Sequence, residues 1–159
     1  MIKIEFPKEH IKVQQREGIH EIFDGIRKKW LVLTPEEWVR QNFIQFLLIK
    51  KSYPASLIAI EKEIKLGELK KRCDIVVYSR QSRPWMIIEC KEMNVALGAK
   101  TLEQILRYHI SLPAQYLVIT NGSYCFGFKK EKSQFFEMDI FPEYEDSGNY
   151  EHRTPNARG

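Results

Sequence analysis

The chain has 159 residues, 43% hydrophobic and 29% charged, which supports one domain with a sizeable core and excludes an intrinsically disordered chain. No apolar run approaches the ~20 residues needed to span a bilayer, and Met1-Ile2-Lys3-Ile4-Glu5 lacks a signal core, so a cytoplasmic location with no membrane partner is expected. The net charge is +4; the tail 143–159 holds four acids against two bases, −2, which leaves +6 on residues 1–142, a mildly basic body that admits a polyanionic partner without demanding one.

The first thirty residues hold short strand-like pieces at 2–6, 11–15, 19–23 and 30–33, with no clear turn code between them. Thr34-Pro35-Glu36-Glu37 then opens a helix: Thr34 caps it, Pro35 suits the first helical position, and Glu37 stands at the third, where a capping box places an acid. This helix is predicted to reach about Lys51, ahead of Tyr53-Pro54. Glu37, Arg40, Gln41, Ile44, Leu47 and Leu48 share one broad face, and Val39, Phe43 and Phe46 form a second apolar stripe, so the helix should be largely buried.

Strand patterns follow at 57–66, 72–79 and 85–91, joined by turns at 67–70 and 80–84, short connections that suggest an antiparallel meander. A second helix fits 99–112, with Leu102, Ile105, Leu106, His109 and Leu112 on its apolar side and Pro113 at its end. A buried-type strand at 115–120 leads to the hairpin signal Asn121-Gly122 and to strands at 124–128 and 134–138. The intervening helix makes 85–91 and 115–120 a crossover pair, hence parallel. Cys73, Cys90 and Cys125 are too widely spaced for a zinc motif and read as buried free thiols. Trp30, Trp38 and Trp85 read as core or edge anchors, His10, His20 and His152 as solvated, and Lys129-Lys130-Glu131-Lys132 as an exposed turn.

Two charged clusters interrupt apolar strands: Asp74 within RCDIVVYS, and Glu89 with Lys91 within IIECK. Charges there are costly unless they are paired or bind a cation. Residues two apart in a strand point the same way, about 6.6 Å from one another, and neighbouring strands lie about 4.8 Å apart. Glu89 and Lys91 therefore share a face that Asp74 can reach. Two such carboxylates suit a hard cation such as Mg²⁺, with Mn²⁺ as a substitute, and the Cys90 carbonyl offers a further oxygen ligand. Lys91 is then placed to orient or deprotonate water, or to offset charge on a pentavalent phosphate.

Asp74…Glu89-Cys90-Lys91 resembles the D…(D/E)-x-K motif of the PD-(D/E)XK nuclease superfamily. Gln104-Ile105-Leu106-Arg107-Tyr108 resembles the Q-x-x-x-Y motif on the helix after the catalytic strand, and Glu36-Glu37-Trp38-Val39-Arg40-Gln41 the acidic N-terminal helix. The closer resemblance, carried also by Arg72–Tyr78 and by Leu117-Val118-Ile119-Thr120-Asn121-Gly122, is to the N-terminal nuclease domain of type I restriction enzyme R subunits, over roughly residues 34–130. The chain departs from the superfamily in having Cys73 where proline is common before the aspartate, and it contains no Walker loop.

The resemblance implies an α/β, restriction-endonuclease-like fold: a mixed central sheet flanked by helices. With the length and the polarity of the end of the chain, this gives one nuclease-like domain over 1–142, with 1–33 as a strand-rich extension, 34–130 as the core that carries the resemblance, and 143–159 as a polar tail expected to fray. The implied activity is Mg²⁺-dependent hydrolysis of DNA phosphodiester bonds, endo- or exonucleolytic, in restriction or DNA processing. Asp74 and Glu89 would hold metal, Lys91 would act in the chemistry, Gln104 would assist, and Tyr108 would position the DNA backbone. Glu37 reads equally as helix cap and as a further acid, and Arg72 as a phosphate contact or an ion-pair partner. Besides DNA, separate motor or modification subunits and a second copy of the chain are the partners implied. The competing readings are a catalytically silent module of the same fold that binds nucleic acid or a partner, and a purely structural domain in which the charged residues form a buried ion-pair network.

Overall fold

Seven strands of the chain join in one mixed sheet and three more in a small antiparallel one; both are seen in a computed structural model that describes residues 1–8 and 10–144. The small sheet comprises β2 (Val13–Arg16), β3 (Ile19–Asp24) and β4 (Lys29–Val32). The large one comprises β1 (Ile2–Lys3), β5 (Ile58–Leu66), β6 (Leu69–Tyr78), β7 (Pro84–Cys90), β8 (Tyr116–Thr120), β9 (Tyr124–Glu131) and β10 (Gln134–Met138). Its order is β1-β9-β8-β7-β6-β5, with β10 also on β9. The β5–β6–β7 meander is antiparallel and β7–β8 is parallel, as the short turns and the helical crossover predict.

Helix α1 (Pro35–Gln45) runs on through a π-helical turn at Phe46–Lys50 and packs on one face of the sheet. Its Val39, Phe43 and Ile44, with Phe46 and Leu47 of the turn, meet Ile58, Ile60, Ile75, Val77, Met86 and Ile88. Helix α2 (Ala99–His109) covers the other face, where Leu102, Ile105 and Leu106 pack on Ile64, Cys73, Val76, Ile87, Leu117 and Ile119. The fold is therefore the expected restriction-endonuclease-like α/β arrangement, a mixed sheet between helices. None of the described helices is long and apolar enough to cross a membrane.

Side-chain alternation breaks at two neighbouring points. Cys73 and Ile75 are two residues apart yet pack on opposite faces, as do Ile60 and Ile64, four apart. A regular strand would keep each pair on one face. The breaks fall at Asp74 and at Glu61, which adopts φ 51; the β5–β6 ladder runs from Ile60↔Ile75 to Lys62↔Cys73 across them. The β6–β7 ladder ends at Ile75↔Ile88. The sheet thus opens beside Asp74 and Glu89, where side chains replace ladder partners.

Several boundaries differ from expectation. The turn before β6 is Gly67-Glu68 alone, with Gly67 at φ 62 and Leu66 paired to Leu69, so Leu69 and Lys70 are strand residues rather than turn. Helix α2 stops at His109, three residues short of Leu112: the Leu112 N–H turns back to the His109 carbonyl, and the Lys130 ammonium caps the Ile110 and Leu112 carbonyls. Lys129–Glu131 accordingly belong to β9, not to an exposed turn. Of the tryptophans, read as core or edge anchors, Trp85 is core, and Trp30 and Trp38 are each 37% exposed, Trp30 packing on Phe23. Glu143 and Tyr144 belong to the body rather than to a frayed tail: Tyr144 is buried against Tyr53 and Trp85 and donates to the Tyr78 carbonyl. The remaining tail, 145–159, with His152, lies outside the described residues.

Candidate active site

At the opening between β6 and β7, the Asp74 carboxylate does what a strand carbonyl would otherwise do: its Oδ2 accepts the Cys90 N–H at 2.9 Å. Burial and the adjacent negative charge of Glu89 push the Asp74 carboxyl up to about 7, against the pull of that N–H and of Arg40. Glu89 is also buried, which alone would raise it, but the hydrogen bond and charge of His109, with Lys71, bring it below the ordinary glutamate value. The two carboxyls are close enough for each to shift the other's titration. One carboxylate of the pair thus readily gives up a proton while the other holds one, the expected splitting for like charges forced together.

On the α2 side, Glu89, Lys91, Gln104 and Tyr108 line one pocket of about 240 Å³. Helical spacing places Gln104 and Tyr108 on its rim one turn apart, and Tyr108 is 59% exposed. Lys91 follows the end of β7, where its N–H bonds the Thr120 carbonyl of β8; among the described residues its ammonium has no carboxylate partner. Besides Ile105, two polar residues line the pocket that sequence reasoning did not assign to it. Lys71 sets its ammonium 4.0 Å from the centre of the Tyr108 ring. His109, read only as a core or edge residue, is 3% exposed and has both ring nitrogens engaged, Nδ1 at 2.8 Å from the Ile105 carbonyl and Nε2 at 2.9 Å from Glu89 Oε1.

On the α1 side lies a network of acids and arginines. Thr34 caps α1 by accepting the Glu37 N–H at 3.0 Å. The Glu37 carboxylate turns inward, taking Gln41 Nε2 at 2.9 Å and Arg40 at 3.2 Å. Glu37 is therefore a buried acid at a capped helix start. Arg40, itself buried, lies 2.9 Å from Glu61 Oε1 as a close ion pair rather than an aligned hydrogen bond, and 3.9 Å from Asp74 Oδ1. Arg27, from the β3–β4 turn, reaches Glu61 at 3.1 Å and is fixed by the fully buried Asp24 at 2.6 Å. Glu61 is held well ionised, at about 2, chiefly by Arg40 and then Arg27. Arg72 faces this side too and pairs with Glu61 at 3.2 Å, while Lys71 is the cation of β6 that lines the pocket.

A model of the family described as Type I restriction enzyme R protein N terminus (HSDR_N) matches residues 35–142. The chain belongs to this family. No curated protein sequence matches it. The part matching the R-protein N terminus contains Glu37, Asp74, Glu89, Lys91, Gln104 and Tyr108, while Asp24 and Arg27 reach the site from outside it.

The donors of this R-protein domain fit a hard divalent cation. Asp74 spends Oδ2 on Cys90 and Glu89 spends Oε1 on His109, so each keeps one carboxylate oxygen free of an N–H donor. A cation between those oxygens would relieve the repulsion that raises Asp74.

Proposed function

We propose that this domain hydrolyses DNA phosphodiester bonds with the help of Mg²⁺, for which Mn²⁺ can substitute. The observation that carries the reading is the convergence of Glu89, Lys91, Gln104 and Tyr108 on one pocket, with the Asp74 carboxyl against Glu89. Asp74, Glu89 and the Cys90 carbonyl would hold the ion, which supplies positive charge to the phosphate and to the attacking water. Lys91, unpaired among the described residues, offers its ammonium to that water or to the charge that develops on phosphorus. Gln104 offers an amide to the same group. Tyr108, with Lys71 against its ring, forms the wall along which the DNA backbone would lie. Glu37 acts through Arg40, which stands between it and Asp74. Membership of the R-protein N-terminus family supports restriction as the setting, and motor or modification subunits are the partners that such a setting would supply.

One observation favours a second reading, a module that binds DNA or a partner without cutting. The Arg40 guanidinium already offers the acids of the α1 side a positive charge. Cleavage assays on linear and supercoiled DNA with Mg²⁺ decide between the two. The hydrolytic reading predicts metal-dependent cleavage that Lys91→Ala slows by about 10²–10³-fold, with the circular dichroism spectrum unchanged. Binding insensitive to Mg²⁺ with no cleavage of either DNA, or cleavage undiminished in Asp74→Ala, contradicts it.

A further inference from the structure

His109 Nδ1 lies 2.8 Å from the Ile105 carbonyl, an acceptor only, so Nδ1 carries the hydrogen. In the neutral ring this leaves Nε2 with a bare lone pair, and that lone pair faces Glu89 Oε1 at 2.9 Å. Two acceptors so close need a positive centre between them. A proton satisfies the pair, but a third donor stands beside it: the Cys73 sulfur, whose one hydrogen-bond contact among the described residues is a long one, 3.8 Å, to the Lys71 carbonyl. The sulfur, the imidazole nitrogen and the Glu89 oxygen all lie within 4.8 Å of one another, and all three residues are buried.

We propose that Cys73, Glu89 and His109 form a second metal site, for a borderline or soft divalent ion such as Zn²⁺. Thiolate and imidazole prefer such ions over Mg²⁺. Zinc about 2.0–2.3 Å from tetrahedral donors sets them about 3.3–3.6 Å apart, so the three need to close by little more than about an ångström. The Nδ1–Ile105 bond is the outer contact that fixes a metal-binding imidazole with Nε2 presented. Glu89 and His109 line the pocket, which leaves the fourth position to water or another pocket ligand. Cys73 arrives here because the strand phase breaks at Asp74 and turns the thiol to the α2 face. Ion binding releases the Cys73 proton to solvent and replaces the proton between Glu89 and His109. The site stands on its own geometry; only its consequence, that a soft ion draws Glu89 away from a hard one, rests on the hydrolytic reading above.

Titration of the whole chain with Co²⁺, a spectroscopic stand-in for Zn²⁺, tests this without any cleavage assay. The expected result is a thiolate-to-cobalt charge-transfer band that saturates at one ion per chain. The band should persist in Asp74→Asn and Lys91→Ala. It should be lost in Cys73→Ser, and in His109→Phe Co²⁺ affinity should fall at least about tenfold. If the folded wild-type chain gives no sulfur-to-cobalt band, or if the band survives in Cys73→Ser, the inference is overturned, whatever the chain does to DNA.

Discussion

Asp74 is held between opposing influences: burial and Glu89 push its carboxyl up to about 7, while the Cys90 N–H and Arg40 stabilise the charged form. A folded-state value above the unfolded one, near 4 for an aspartate, means that the contribution to stability is fully present below about pH 4 and is lost as pH rises through about 7. Glu89 is shifted downward, so its own contribution runs the other way and is lost as pH falls. Asp74→Asn removes the rising cost yet keeps an oxygen for the Cys90 N–H. Thermal melts in EDTA should therefore show the wild type losing stability relative to Asp74→Asn between about pH 4 and pH 7 and running level with it above that. Parallel curves for the two proteins would show that Asp74 is not raised. The residues legible in the sequence were those whose charge is conspicuous against apolar neighbours, Asp74, Glu89 and Lys91, with Gln104 and Tyr108 added by resemblance. His109 hid in the apolar stripe of its helix, and Lys71 in the polar half of a strand. Glu61 sits among alternating charges, and nothing in its type announces a positive φ.

At the scale of elements, α1 joins an ordinary capped start to a buried charge cluster. The sequence predicted its cap, its length and its two buried stripes, because capping and periodicity are local. It did not show where the Glu37 side chain goes, since that depends on Arg27 and Glu61 from distant elements. The cluster makes Arg40 and Arg72 unequal although both pair with Glu61. Arg40 is buried among Glu37, Glu61 and Asp74, and its loss leaves acids facing one another. Urea denaturation should show Arg40→Ala destabilised by about 3 kcal/mol, the low end for a broken buried pair because Glu61 is 36% exposed. Arg72→Ala, with a side chain 70% exposed, should cost no more than about 1 kcal/mol. Equal losses would mean that the buried network is not the stabilising feature.

Across the whole molecule, the large sheet was legible from turn lengths and the one helical crossover, which together fix four strands as a meander plus a parallel neighbour. The N-terminal strands carried no turn code, so the small sheet that delivers Asp24 and Arg27 to the site could only be seen folded. The site itself arises where ladders end: β6 and β7 part beyond Ile75↔Ile88, and α2 closes the gap from one side while α1 and its arginine close it from the other. That arrangement leaves one oxygen each on Asp74 and Glu89 without an N–H donor among the described residues. Anomalous scattering from a crystal soaked in Mn²⁺ tests this most directly. A peak is expected within about 2.2 Å of both an Asp74 and a Glu89 carboxylate oxygen. A crystal that takes up Mn²⁺ elsewhere and shows no peak between these two residues would contradict it.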